Sequence, residues 1–418
     1  MEKPVSSKND SRPHYYQLAV TLGALTAMGP LAVDMYLPAL PTIAREFGAS
    51  AGAVQVSLSV YFIGMAAGQA VYGPLSDRIG RKPTLCFGLL VFLAGSIGCA
   101  LSQRVETLVV FRLVQALGGC ASLVIPRAVV RDYFNERDAV RMLSVLMLVF
   151  GLAPILAPLV GGQLLIHLGW RSIFWLHAGY AGFWLAVVLL SLGESLPSER
   201  RRRDPFGAVL GIYGRLLRDR TYMGYVLTGS LVFAGLLAYI AGSPFVFIEL
   251  YHVPPERYGL FFGSNAIGII AASQLNHWLA KRTDPRHVLS LVLPLSMASG
   301  LVLLINAYTG FGDFPGILVP LFFFIATHGF VMPNTTALAM VPHGAVAGSA
   351  SALLGTVQFM IGATAGTLVG ALGNGTAIPF AAVIAACGML AFVVQVIISG
   401  RTAPLPDVPG RGGPPVRP

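Results

Sequence analysis

Stretches of about twenty apolar residues alternate with short polar connectors along almost the whole chain, and this rhythm predicts its elements. A helix rising 1.5 Å per residue needs about twenty apolar residues to cross a bilayer. Twelve stretches meet that need, at 16–38, 52–74, 84–102, 107–130, 140–166, 172–193, 221–246, 258–279, 287–306, 315–340, 345–371 and 379–400. Glycine and proline occur inside many of them, which a bilayer tolerates when neighbouring helices satisfy the freed backbone groups. The longest polar connector, 194–220, divides the spans into two sets of six. The pattern predicts an all-α integral membrane protein: a tail over 1–15, a six-helix half over 16–193, a linker over 194–220, a second six-helix half over 221–400 and a tail over 401–418.

Inside the linker, Asp204-Pro205 has the form of an N-cap followed by proline at the first helical position. Phe206, Val209, Leu210, Tyr213, Leu216 and Leu217 then recur at helical spacing beside Arg215, Arg218 and Arg220. That spacing fits a short amphipathic helix on the cytoplasmic membrane face, or a plain linker. The segment 401–418, rich in proline, glycine and arginine, is expected to be disordered.

Composition agrees with the spans. Of 418 residues, 55% are hydrophobic and 11% charged, against about 25% charged in a soluble domain. Mean hydropathy is +0.72. The net charge of +10 does not mark a nucleic-acid surface, because the basic residues sit in short connectors between apolar spans. Of the 28 lysines and arginines, 22 fall on one side of the alternating connectors and 4 on the other, with Arg112 and Arg127 inside span 4. By the positive-inside rule both tails are cytoplasmic. The four cysteines, Cys86, Cys99, Cys120 and Cys387, lie inside spans with no metal-ligand or disulfide spacing. No metal and no cofactor are expected, and no cleaved signal peptide. No HExxH, paired carboxylates or Ser/His/Asp arrangement points to an enzyme.

Residues 72–82, "YGPLSDRIGRK", concentrate four charges between spans 2 and 3. Gly80 permits a tight turn, and Asp77 is suited to a helix N-terminus. The stretch resembles the loop between the second and third helices of the major facilitator superfamily, with Gly73, Asp77, Arg78, Gly80, Arg81 and Lys82 filling every fixed place. The resemblance implies two six-helix halves with a site between them near the midplane. It also implies a latch: Asp77 facing the N-terminus of span 11, near "PHGAVAGSAS", and Arg81 pairing with Asp132. The connector 276–287 lacks the pattern, so any repeat between the halves is degenerate in sequence.

Span 5 carries "GLAPILAPLVGG". It resembles the superfamily's antiporter motif through Pro158, Gly161 and Gly162, with Ala157 in place of a glycine and Pro154 as an extra proline. Its small residues are expected to pack span 5 against the opposite half.

In span 4, Arg112 and Gln115 fit the family's arginine–glutamine pattern. An arginine inside a span needs a partner or a function. Asp34 is the only acidic residue well inside any span. On a helix running outward, it lies about 27 Å up, near the outer third, at a depth similar to Arg112. Burial disfavours the carboxylate and a guanidinium favours it, so a small change in spacing or water access loads or releases a proton. Asp34 is the expected proton carrier and Arg112 its switch; a static ion pair is the other reading.

Together with "DMYLPALP", "RAVVRD" (Arg127 to Asp132), "WRSIFW" and "SPFVFIE", these motifs resemble the bicyclomycin-resistance (Bcr/CflA) group of drug:proton antiporters, over about residues 20 to 400. That implies a monomer in the bacterial inner membrane, partnered by lipid, protons and small drugs. It would export bicyclomycin, chloramphenicol-type and sulfonamide antibiotics by alternating access, driven by the proton gradient. A proton-coupled uptake symporter or metabolite exporter of the same superfamily is the alternative. Candidate cavity residues are Asp34, Tyr61, Gln69, Arg112, Gln115, Tyr239, Asn265, His328, Asn334 and Gln358, with Phe245 and Gln274 as further polar or aromatic positions. With Arg112 offsetting Asp34, neutral or zwitterionic cargo is expected over dications.

Overall fold

The computed structural model describes residues 12–201 and 206–399, and their regular elements are all helical. The expected tail disorder and the Asp204-Pro205 cap lie outside the described residues. The first half holds α1 (Arg12–Asp34), α2 (Leu40–Phe47), α3 (Ala51–Ile79), α4 (Arg81–Ala100), α5 (Val105–Tyr133), α6 (Glu136–Leu168) and α7 (Arg171–Ser191). After α8 (Phe206–Arg218), the second half holds α9 (Arg220–Pro244), α10 (Pro255–Leu279), α11 (Pro285–Thr309), α12 (Asp313–Met340), α13 (Ala347–Ala371) and α14 (Ile378–Ser399). The linker does form a helix, α8, whose Leu216 is buried against the second half.

Among the described residues, eleven helical stretches are long and apolar enough to cross a membrane. The twelfth, α10, has the length but less hydropathy, because it carries Asn265 and Asn276 on a buried face. The first stretch is longer than its sequence pattern predicts. It runs through a 3-10 turn at Leu37–Ala39 and on through α2, so that Tyr15–Phe47 form one span of 33 residues. Pro38 and Pro41 do not end it, since they occupy the first turns of the 3-10 segment and of α2, where a missing N–H costs nothing.

The packing shows a repeat that the loops hide. In the first half α1 packs on α6, α3 on α5, α4 on α5, and α4 on α7. In the second half the corresponding partners are α9 with α13, α10 with α12, α11 with α12, and α11 with α14. The halves meet along two seams that exchange under the same pairing, α3 with α13 and α6 with α10.

One end of the bundle, the tail side, holds the start of α1 and the end of α14; the other is the far side. On the far side the seams are tight. A Cβ on Gly52 (α3) would stand 2.6 Å from the Gly370 carbonyl oxygen (α13), and one on Gly162 (α6) 2.8 Å from that of Pro255 (α10). Gln55 Nε2 also donates to the Ala241 carbonyl across the halves at 2.9 Å. Towards the tail side, Gly73, Gly344 and Gly348 have nothing among the described residues within 4 Å of an added Cβ. The halves are closed on the far side and open towards the tails.

Candidate functional site

Between the halves lies a cavity of about 250 Å³. Aromatic rings dominate its wall: Phe62 and Phe150 from the first half, Phe233, Phe262 and Phe359 from the second. They form a connected array, with Phe62 against Phe359, Phe359 against Phe233 and Phe233 against His328 at centroid distances of 6.2, 5.2 and 5.8 Å. Five of the ten candidate positions line this space, namely Asp34, Tyr61, Tyr239, Asn265 and His328. Asn265 Nδ2 donates to the Tyr239 hydroxyl at 3.0 Å, leaving its buried Oδ1 without a hydrogen-bond partner.

The other five candidates do not reach that wall, because they satisfy one another or fill contacts between helices. Asn334 Nδ2 donates to Asn276 Oδ1 at 2.6 Å. Gln115 Nε2 donates to the Ser96 hydroxyl at 2.8 Å. Gln69 presses on Gly355 across the α3–α13 seam, and Gln358 lies against the Met332 sulfur. Of the further positions, Phe245 lines a separate far-side vestibule of about 570 Å³, and Gln274 is exposed outside the central wall. The aromatic walls had no sequence signal, since a lipid-facing phenylalanine reads the same.

Asp34 closes α1, at the point where the helix gives way to the 3-10 turn. With the first span extending to Phe47, it lies 19 residues from one end and 13 from the other, about 28 and 20 Å. It is thus deeper than the outer third. It faces the cavity, and among the described residues it makes no hydrogen bond or ion pair.

Arg112 is not its partner in this state, contrary to the expected pair. Its Nη1 donates to the Ala32 carbonyl at 3.0 Å and to Gln115 Oε1 at 2.6 Å. Its guanidinium carbon lies 4.7 Å from the Tyr36 ring centroid, 4.3 Å from that of Tyr61 and 5.8 Å from that of Phe174. The negative faces of these rings hold the cation, and Nε and Nη2 find no acceptor among the described residues. Arg112 is fully buried and absent from the cavity wall. Tyr61 touches both spaces: its ring carries the Arg112 guanidinium, and it also lines the cavity with Asp34.

The antiporter-like motif sits where small residues were expected. α6 runs unbroken through Pro154 and Pro158. Gly161 meets the Met35 carbonyl of its own half, and Gly162 meets α10 of the other. Pro154 also lines the cavity.

At the tail-side end of α3 the charged turn is closed on its own half. Gly80 has φ +115°, which favours glycine, and separates α3 from α4. Arg81 is buried and pairs with Asp77 at 2.6 Å and with Asp132 at 3.0 Å. Asp77 therefore faces Arg81 here and not the start of α13, which stands apart on the open side. Arg78 is half-buried, and Lys82 Nζ donates to the Leu189 carbonyl at 2.9 Å. Glu194, the first linker residue, was not foreseen in this cluster. Its carboxylate accepts from the backbone N–H groups of Arg81 at 2.9 Å and Lys82 at 3.3 Å, capping α4. Replacing Glu194 with alanine should destabilise the fold by about 1 kcal/mol, seen as a melting temperature lowered by a few degrees. Glu194→Gln, which keeps an acceptor, should recover part of the loss.

The family model for the Major Facilitator Superfamily matches residues 22–367. The chain belongs to the major facilitator superfamily. Among relatives of this facilitator, the uncharacterised MFS-type transporter YdgK of Bacillus subtilis is 36% identical, over 90% of this chain and 94% of its own. A bicyclomycin resistance protein homolog of Haemophilus influenzae is 30% identical, over 91% of this chain and 96% of its own. The fold matches a crystal structure of a D-xylose–proton symporter with a TM-score of 0.70 at 15% identity, over 92% of this chain and 97% of that one. This facilitator is a multi-pass membrane transporter and not an enzyme.

Proposed function

We propose that the chain exports small neutral or zwitterionic antibiotics in exchange for protons, by alternating access, from the cytoplasm of a bacterial cell across its inner membrane. The preponderance of lysine and arginine on the tail side supports placing that side in the cytoplasm. The bicyclomycin resistance relative supports drugs as cargo, with chloramphenicol-type and sulfonamide drugs next to test.

The observation that carries the reading is Asp34: a carboxyl group in an aromatic cavity between the halves, with no cation beside it among the described residues. Its charge must be balanced by a proton or by a donor group of the cargo, and the two are mutually exclusive, which is the requirement for exchange. Arg112 supplies a third partner. Its free Nε and Nη2 are a docking place for the carboxylate in a second state, reached when Tyr61 moves aside. Proton loading from the far side and cargo loading from the tail side then alternate at one group.

Gly162 on α6, packed against the opposite half, closes the far side while cargo enters. With the far side opened, Asp77 would cross to the N-terminus of α13 and hold the tail side shut. The test is efflux of bicyclomycin, chloramphenicol and a sulfonamide from cells lacking other pumps. Efflux that a protonophore abolishes is expected. Accumulation of drug on expression would overturn export and favour a symporter.

A further inference from the structure

Arg127 is the second arginine within α5, and neither the cage around Arg112 nor the turn at Gly80 uses it. Its side chain is exposed, although α5 is surrounded by α1, α3, α4 and α6. Leu123, four residues before it, lines the central cavity, and Arg131, four residues after it, is exposed as well. Side chains four apart share a helix face. Leu123, Arg127 and Arg131 therefore form one stripe from the cavity wall to the tail-side end of α5.

The stripe does not face lipid. The exposed ring of Phe111 stands 16 residues away, about 160° around the helix from Arg127. Among the described residues no hydrogen bond or ion pair engages Arg127 or Arg131. An unpaired charge on a spanning helix faces protein or water, and the water here is that of the tail-side opening. Arg127 lies 15 residues from Arg112 along α5, about 22 Å away, at the entrance and not beside Asp34.

We propose that Arg127 and Arg131 are an electrostatic selector at the mouth of the cavity, favouring cargo with an acidic group, weak acids and zwitterions, over cations. The acidic end of an amphipathic molecule trails on the arginines while its aromatic body enters the ring-lined cavity and its donor end meets Asp34. The charge balance that the sequence suggested for Arg112 is supplied in the open cavity by Arg127, since Arg112 is sealed behind Tyr61.

The inference rests on the efflux reading only for the direction of travel, so binding can be tested apart from transport. Three naphthalene congeners, bearing a carboxamide, a carboxylate or an aminomethyl group, are titrated onto the purified full chain. A unit charge about 7 Å from another changes an equilibrium by about threefold in bulk water and about fiftyfold at surface-like dielectric. Arg127→Gln should therefore lower the affinity for the carboxylate relative to the carboxamide by about fivefold, and raise that of the amine similarly. Arg127→Lys should keep the parental ratios, and 1 M salt should erase the differences.

Unchanged ratios in Arg127→Gln, or the same shift in Arg127→Lys, would overturn the selector whatever transport shows. If the ratios shift but no congener is expelled under a proton gradient, the selector stands and proton-driven export falls. If none of the three binds, both fall.

Discussion

Asp34→Asn leaves a transporter that binds drug but no longer moves it uphill. Asparagine keeps the size and a donor and acceptor of the side chain but cannot exchange a proton. Cargo affinity should therefore settle near that of the parent with Asp34 protonated, while efflux driven by an imposed proton gradient in liposomes falls at least about tenfold, to the passive rate. A second signature separates lost coupling from lost folding. In the parent, proton and cargo compete for Asp34, so drug affinity depends on pH; in the variant that dependence disappears. Uphill transport by Asp34→Asn would refute the exchange mechanism. Preserved pH dependence of binding would move the competing group elsewhere. Of the other residues lining the cavity, only His328 carries an imidazole, and it would then be the next position to replace.

The parts of this mechanism differ in how far the sequence discloses them. The turn at 72–82 and the glycines of α6 are legible because each answers a local demand: Gly80 for its positive φ, Gly161 and Gly162 for a backbone approach. The Asp34–Arg112 relation was half legible. Both groups are rare in a bilayer and must be explained, but the sequence cannot tell a carboxylate from three aromatic faces as the arginine's partner. Asp34 also reads too shallow, because Pro38 and Pro41 look like the end of a helix that continues to Phe47. Polar residues were an uneven guide to the cavity, since Asp34, Asn265 and His328 reach it and others do not. Asn334 finds Asn276 and Gln115 finds Ser96, partners 58 and 19 residues away, and such pairings depend on which helices become neighbours. Arg127 stands out only when α5 is seen to be enclosed on its other sides.

Gly52→Val is expected to trap the opposite state. Gly52 belongs to α3 and Gly370 to α13, so their contact exists only while the two halves touch on the far side. A Cβ at Gly52 would sit 2.6 Å from the Gly370 carbonyl oxygen, and backbone on both sides leaves no flexible side chain to yield. Overpacking of this kind costs about 1–3 kcal/mol. Because only the far-side-closed state bears that cost, the equilibrium moves about tenfold to a hundredfold toward the far-side-open state. Transport should fall correspondingly, since every cycle must pass through the closed contact. The location of the clash separates this from simple destabilisation. Gly95 meets Gln115 of α5 as closely, but within one half, so Gly95→Val weakens that half in both states and lowers the melting temperature. Gly52→Val should leave the melting temperature nearly unchanged. The decisive measurement places Val33→Cys at the cavity wall in a background without Cys86, Cys99, Cys120 and Cys387. A membrane-impermeant maleimide added from the far side should label it in the Gly52→Val protein and scarcely in the parent. Equal labelling in the two proteins would mean that the α3–α13 crossing is not the far-side gate.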